Sequence, residues 1–260
     1  MKRRLLYLTG IGLFFLAIIG GPIAYKLLTI PPTCTDGIQN QGETNIDKGG
    51  PCVLLDERVL QPHAVLWSRG FFVRDGTYNA VAYIENPNET AGVEAAQYRF
   101  KLYDADNILI AERVGTTVIM PGGITPVLES RIDTGHRIVV HTYFEFITPL
   151  VWKHMQNMST VIVINDKTTA NTATAPQVSA SVRNASVGTL RKVGFVAVVF
   201  DASGNAFAGS ATALDSFEAE TTSNLVFTWP DSFTSPVGHV DVIPVVAPVV
   251  TSPITGRPVH

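Results

Sequence analysis

The chain has 260 residues, of which 46% are apolar and only 16% are charged, against about 25% charged in an ordinary globular domain. Four of its 19 basic residues precede position 30, so 15 basic and 22 acidic side chains remain and give the rest of the chain a charge of −7. An acidic surface excludes nucleic acid, or a polyanionic cell-wall polymer, as the main ligand.

The N-terminal segment combines a basic start with a long apolar run. Three basic residues at positions 2–4 precede residues 5–28, which contain no acidic residue and one charge, Lys26. About 20 apolar residues span a bilayer as a helix, and a basic cluster marks the cytoplasmic side. We predict a cytoplasmic stub at 1–4, a transmembrane helix at 5–28, and an extracytoplasmic remainder. A cleaved signal peptide is the alternative, but its apolar core is usually about 7–15 residues.

Residues 31–58 are predicted to form a loop beside the membrane. Two prolines, at 31 and 32, end the helix. The following segment is rich in Gly, Asn, Asp and Gln and has little to bury. Cys34 and Cys52 are the two cysteines of the chain and should pair in an oxidising exterior. Closing such a loop contributes about 3 kcal/mol in the chain-entropy model.

The same loop resembles a short cysteine-rich motif of bacterial surface proteins, Cys-x-Asp-Gly-x-x-Asn-x-x-Glu-x-x-x-Asp-Cys-Gly-Gly-x-Cys. Lys48 stands where the motif has an internal cysteine, and the motif's further cysteine after the last one is also missing. The joint absence of these two cysteines corresponds to the loss of one complete disulfide. The matching residues are Cys34, Asp36, Gly37, Asn40, Glu43, Asp47, Gly49, Gly50 and Cys52.

Four residues of this loop carry oxygen ligands of the type that Ca²⁺ prefers: Asp36, Asn40, Glu43 and Asp47. The loop is not an EF-hand, because apolar and uncharged residues occupy required ligand or glycine positions. The alternative is that these side chains only make turn hydrogen bonds. We predict no cofactor and no metal, with calcium at these four residues as the alternative.

Residues 59–165 are predicted to form a first antiparallel β-sandwich, because short runs of β-branched and aromatic residues alternate with turn signals. A short helical turn is predicted at 149–158. The predicted strands lie at 64–73, 77–85, 97–104, 108–111, 138–147 and 160–164.

A polar, low-complexity linker is predicted at 166–175. A second sandwich follows at 176–246, with strands at 177–184, 194–201, 205–213, 223–229 and 239–246. Its signals repeat those of the first, since an aromatic–Asp pair ends a strand both at Tyr103-Asp104 and at Phe200-Asp201. Residues 247–260 are proline-rich and should be extended.

The run Phe100-Lys101-Leu102-Tyr103-Asp104 resembles the motif that names the FxLYD domain, a β-sandwich module of prokaryotic extracellular and membrane-anchored proteins. The resemblance covers about residues 76–147 and implies an immunoglobulin-like sandwich without established catalytic activity. Phe100, Leu102, Tyr103 and Asp104 are the motif residues. In the second copy Ala197 replaces the phenylalanine, and Val199 and Phe200 replace Leu-Tyr.

No catalytic motif accompanies these strands. The six histidines show no zinc-type spacing, and Asp104 and Asp201 are expected to be turn residues. Trp67, Trp152 and Trp229 are predicted to lie in the sandwich cores, with a sugar platform as the alternative.

We therefore expect a non-catalytic, single-pass surface protein of the cell membrane that acts as a spacer or protein-interaction module. Its expected partners are the membrane and other envelope or surface proteins. One alternative is a subunit of an envelope secretion or pilus-type assembly that adds a strand to a sheet edge, with the tail as the donated segment. The other is a carbohydrate-binding or enzymatic ectodomain.

Overall fold

The computed structural model describes residues 2–29 and 33–251. It divides the chain into two compact units, Met1–Cys52 and Val53–His260. Each unit is described by itself.

The first unit contains a helix and a disulfide-closed loop. Helix α1 runs from Lys2 to Thr29 and includes Pro22. In the described part of the chain, no helix combines the length and apolar character needed to cross a membrane. The predicted span at 5–28 is therefore not confirmed. The prolines predicted to end the helix, at 31 and 32, lie outside the described residues.

The loop of the first unit is closed by the predicted disulfide between Cys34 and Cys52, whose Cα atoms are 5.5 Å apart. It is made of turns, with one short bridge between Asn45 and Lys48. Gly49 adopts a positive φ of 75°, and a Cβ there would collide with the side chain of Thr44. The glycines of the motif are thus required by the backbone.

The second unit is built of antiparallel strands, with 3₁₀ turns at Glu57–Val59 and Met158–Val161. This confirms the prediction of a mainly β fold with antiparallel sheets. The strands are β1 (Ala64–Arg74), β2 (Thr77–Asn86), β3 (Ala91–Tyr103), β4 (Leu109–Ile119), β5 (Gly123–Asp133), β6 (His141–Phe146), β7 (Lys153–Gln156), β8 (Ile162–Ala170), β9 (Gln177–Asn184), β10 (Leu190–Phe200), β11 (Ala206–Phe217), β12 (Thr222–Thr228), β13 (His239–Val245) and β14 (Val249–Val250).

Sandwich 1 consists of two sheets that pack on each other. One has the order β1-β2-β5, and in the other β3 lies between β4 on one side and β6 and β7 on the other. Alternate residues of β2 and β3 point into the space between the sheets. Their core includes Ala80, Ile84, Phe100 and Leu102, each fully buried.

Sandwich 2 repeats this topology strand for strand. Strands β8, β9 and β12 form one sheet and β11, β10 and β13 the other, in the same order as β1, β2, β5 and β4, β3, β6. Val178, Val182, Phe195 and Phe227 fill its core. The repeat inferred from two aromatic–Asp pairs thus extends over six strands of each copy.

The two sandwiches pack face to face. The outer side of sheet β1-β2-β5 meets the outer side of sheet β11-β10-β13, through a cluster that includes Phe71, Val81, Tyr83, Val198 and Phe200. The central strands β2 and β10 are therefore buried on both faces, which explains their nearly continuous apolar sequences.

One glycine permits this close approach. A Cβ on Gly209 of β11 would lie 2.8 Å from Val81 Cγ2 and 3.2 Å from the ring of Phe71, closer than packed carbon atoms tolerate. Beside it, the buried amide of Asn79 donates to the Gly209 carbonyl at 2.9 Å. The contact is therefore tight and contains a satisfied polar group.

Two predicted segments differ from the structure. The linker prediction is wrong for residues 166–170, because β8 runs to Ala170 and pairs with β9, and turns follow at 171–175. Its threonines suit an exposed edge strand as well as a linker. The helical turn predicted at 149–158 is also wrong, since this segment contains β7.

The tail, predicted to be extended, returns to sandwich 1. Strand β14 pairs with β7, with Val249 opposite Gln156, and the Thr251 N–H donates to the His154 carbonyl at 3.0 Å. The segment proposed for donation to another protein thus contacts a strand of its own chain. Residues 252–260 lie outside the described residues.

Candidate functional site

The carboxylates of the cysteine loop accept hydrogen bonds from the loop backbone. Asp36 accepts from the N–H groups of Thr33 at 3.1 Å and Ile38 at 2.8 Å. The hydrogen bond from Thr33, followed by those from Asn40 and Ile38, lowers the pKa of Asp36. Asp47 accepts from the Gly37 N–H. These contacts are those expected of turn residues.

Glu43 is the buried carboxylate of this loop, with 6% of its surface exposed. Its Oε2 accepts from the N–H groups of Asn40 and Asp47, and its Oε1 lies 3.0 Å from Cys52 Sγ. Among the described residues, Cys34, Glu43 and Cys52 form the one cluster of possible metal ligands. Two of these are sulfurs of a disulfide and cannot ligate as thiolates. Calcium binding by Asp36, Asn40, Glu43 and Asp47 stays an untested alternative to their role as turn residues.

The residues of the FxLYD-like motif divide between the core and the surface. Phe100 and Leu102 are fully buried between the sheets of sandwich 1. Tyr103 lies on the opposite side of β3, where its ring meets that of Tyr143 edge to face at 5.6 Å. Asp104 follows at the turn to β4. The motif therefore specifies a strand and its turn.

Both aspartates stabilise hairpin turns in the same way. Asp104 Oδ1 accepts from Asp106 N and Ile108 N, and Asp201 Oδ1 accepts from Ser203 N and Asn205 N at 2.9 and 2.8 Å. The backbone hydrogen bonds from Ile108 and Asn205 are the main causes that lower the pKa of Asp104 and Asp201. Arg137 also pairs with Asp104.

The tryptophans and histidines form no convergent site in the described part of the chain. Trp152 and Trp229 are 5% and 6% exposed and belong to hydrophobic cores, which does not fit a sugar platform. Trp67 packs on Tyr83 at 4.4 Å between the sandwiches. Burial lowers the pKa of His63 and of His154.

The main free surface of sandwich 1 is the outer face of its second sheet. We call it the outer face. Its residues occupy alternate positions of β3 or lie opposite those positions on β4 and β6. They are Arg99, Lys101 and Tyr103 on β3, Glu112 and Val114 on β4, and Tyr143 and Glu145 on β6.

Charges and apolar groups alternate across the outer face. Glu145 accepts from Arg99 and Lys101, each at 2.9 Å, and these bonds, Lys101 first, lower the pKa of Glu145. Between the charges, Val114 and Tyr143 are 56% and 58% exposed. An exposed tyrosine beside an ordered arginine is typical of protein-binding surfaces.

The topological equivalent of the outer face in sandwich 2 is the surface buried against sandwich 1. The equivalents of Arg99, Lys101 and Tyr103 are Val196, Val198 and Phe200. The same sheet position thus carries a polar, exposed surface in one copy and an apolar, buried one in the other. From sequence alone this contrast is visible only as the departure of the second motif from the first.

A cleft of about 400 Å³ lies between the two sandwiches, along the edge of β1. It is a feature that the sequence analysis missed, because its walls come from segments far apart in the chain. The lining residues used below are Ser68–Val73 of β1, Val139, Val140 and Thr142 before and on β6, and Phe207 and Asp231 of sandwich 2.

No family model and no curated protein matches the chain. Solved structures that align with it include a β-glucuronidase of Bacteroides uniformis, at 13% identity and a TM-score of 0.19, and a transglutaminase of red sea bream, at 9% identity and a TM-score of 0.23. These alignments cover 67% and 70% of this chain but only 22% and 31% of the other proteins. The chain thus spans less than a third of their length, and TM-scores this low carry no argument about fold or activity.

Proposed function

We propose that the chain is a non-catalytic surface protein whose paired, immunoglobulin-like sandwiches bind other proteins through the outer face. The observation that carries this proposal is the contrast between equivalent sheet faces. The face of sandwich 2 forms an interface within the chain, while that of sandwich 1 exposes Tyr143 and Val114 within a lattice of ion pairs. Face-to-face packing of the sandwiches favours a binding role over that of a long spacer.

Membrane attachment through residues 5–28 and membership of the FxLYD-like modules are part of this proposal. The apolar run and its basic flank support the first, and the motif from Phe100 to Asp104 supports the second. Alkaline extraction of cell membranes tests the attachment. The full-length chain should stay in the pellet, and its release into the supernatant would refute the anchor.

Site-specific photocrosslinking in cells tests the binding role. A photoreactive phenylalanine analogue at Tyr143 should give discrete protein adducts, whereas the same analogue at Val226, on the opposite outer sheet of sandwich 2, should not. The adducts should disappear when Arg99→Glu and Lys101→Glu reverse the charges of the outer face. Adducts that survive this reversal, or that form equally at Val226, would contradict the proposal.

A further inference from the structure

Strand β1 is an edge strand with an unpaired side. In the described part of the chain it pairs with β2 alone, and the pairing is regular from Trp67 to Phe72. Alternate N–H and C=O groups of an edge strand point away from its one partner. The stretch from Ser68 to Val73 therefore presents main-chain donors and acceptors to the cleft that it lines.

The cleft follows this edge over six consecutive residues, or about 20 Å of extended chain. One wall comes from the segment before and on β6, and Ser68 Oγ donates to the Thr142 carbonyl at 2.8 Å beneath it. The other wall comes from β11 of sandwich 2, where the Arg69 guanidinium donates to the Ala206 carbonyl at 3.2 Å. The walls lie on both sides of the edge, and the cleft between them has a volume of about 400 Å³.

The side chains around the cleft suit apolar groups of an added strand. Phe72 and Val140 flank it with 52% and 51% of their surfaces exposed, and Phe207 and Val139 line it. Gly70 allows the segment before and on β6 to lie close to β1, because a Cβ there would be 3.1 Å from Val139 Cγ1 and 2.9 Å from Thr142 Oγ1. Main-chain hydrogen bonds beside apolar pockets are how strand-addition sites bind peptides.

The equivalent edge of sandwich 2 is protected, which makes the open edge of β1 informative. Strand β8 occupies the position of β1 and carries Asp166 and Lys167 in its exposed part. Charged side chains, lysine above all, are a common means of blocking an edge against pairing. On β1 the corresponding stretch has one charged residue, Arg69, where β8 has Asp166 and Lys167.

We propose that the edge of β1 from Ser68 to Val73 binds an extended polypeptide segment with alternating β-branched residues, as an added strand in the cleft. The chain beyond position 30 carries a net charge of −7, so long-range attraction favours a segment with basic ends. This site does not include the outer face, and the proposal does not rest on the function proposed for that face.

Hydrogen exchange and NMR titration of the full chain in detergent test the proposal. The probe is the acetylated, amidated peptide Lys-Val-Thr-Val-Thr-Val-Lys, at concentrations up to about 1 mM. Its control is the same peptide with three central amide nitrogens methylated, so that neither side of it can pair. The probe should slow exchange of the unpaired β1 amides about tenfold, and the methylated peptide should leave them unchanged.

Two surface variants complete the test. Phe72→Ala should weaken the affinity for the probe peptide about fivefold or more. Val226→Ala, on an exposed face of sandwich 2, should leave that affinity unchanged. Absence of an effect on residues 68–73, equal binding of the methylated peptide, or binding that maps elsewhere would overturn the proposal. Reversing the charges of Arg99 and Lys101 leaves this site intact, so failure here and failure of the outer-face proposal can be told apart.

Discussion

Asn86 and Asn184 occupy the same place in the two sandwiches, at the end of a strand and with no exposed surface. The Asn184 amide donates to the carbonyls of Gly188 and Phe217, both at 2.9 Å, and to that of Glu218 at 3.1 Å. Its Oδ1 accepts from the N–H and hydroxyl of Ser186. One buried side chain therefore satisfies backbone groups from two connections.

Replacing Asn184 should destabilise the protein strongly. Asn184→Ala leaves buried carbonyls without a donor, which costs about 3 kcal/mol of unfolding free energy. Urea denaturation measures this loss. Asn224→Ala, at an exposed position of β12, is the matched control and should change stability by less than about 1 kcal/mol. Similar losses for both variants would contradict the role given to Asn184.

The turn aspartates predict a dependence of stability on pH. Backbone hydrogen bonds lower the pKa of Asp201 in the folded state, so its contribution is complete above the unfolded value of about 3.9. That contribution is lost as the pH falls through the lowered folded value. Asp201→Asn keeps an oxygen for the turn but removes the titrating carboxylate. The unfolding free energy of this variant should therefore fall less steeply as the pH is lowered.

Urea denaturation at several pH values between neutral and acid conditions checks this expectation. Asp215→Asn removes an exposed carboxylate on β11 and serves as the control for the change in net charge. If Asp201→Asn changes the acid-induced loss of unfolding free energy no more than Asp215→Asn does, the Asp201 turn is not a source of that loss.

At the scale of the elements, the two central strands show what the sequence could predict. The strand of Phe100 and Leu102 was recognised because it alternates, with one face buried and one exposed. The strand from Phe195 to Phe200 is continuously apolar, and periodicity does not say what covers its second face. The face-to-face packing of the sandwiches could not be predicted for this reason.

The predicted boundary between the sandwiches was wrong for a related reason. The part of β8 from position 165 to Ala170 is exposed, and its polar and small residues resemble a linker in composition. Only its pairing with β9 identifies this part as a strand. The cleft and the outer face depend on pairings between distant strands as well, and the sequence pattern contains no signal for them.

Exchanging equivalent residues between β3 and β10 tests the assignment of a free face to sandwich 1 and a buried face to sandwich 2. Val198→Lys places a charge at a fully buried position between the sandwiches and should cost more than about 3 kcal/mol. Lys101→Val is the reciprocal change on the outer face, where it removes one ion pair with Glu145. It should cost less than about 1 kcal/mol.

Thermal and urea denaturation of both variants give the comparison. A Val198→Lys protein as stable as the Lys101→Val protein would show that the interface between the sandwiches does not form in solution. A large loss in Lys101→Val with none in Val198→Lys would reverse the assignment of free and buried faces.

At the scale of the whole molecule, the second unit behaves as one stack of four sheets. Two contacts join the sandwiches. One is the apolar cluster between the middle sheets, and the other is the pairing of β14, which follows sandwich 2, with β7 of sandwich 1. Both free outer sheets carry polar side chains on their central strands, as Arg99 and Lys101 on one and Ser179 and Ser181 on the other show. Polar outer layers are how stacked repeats avoid adding further copies.

Separating the sandwiches should therefore expose a surface that the intact chain keeps buried. A fragment of residues 157–246 presents Val196, Val198 and Phe200 to solvent, and an apolar patch of this kind drives association. The same fragment with Val196→Arg, Val198→Lys and Phe200→Tyr carries the residues of the outer face and should remain monomeric. Size-exclusion chromatography with light scattering distinguishes the two, with circular dichroism to check that both are folded. A monomeric wild-type fragment would mean that the interface is dispensable and that each sandwich is an independent domain.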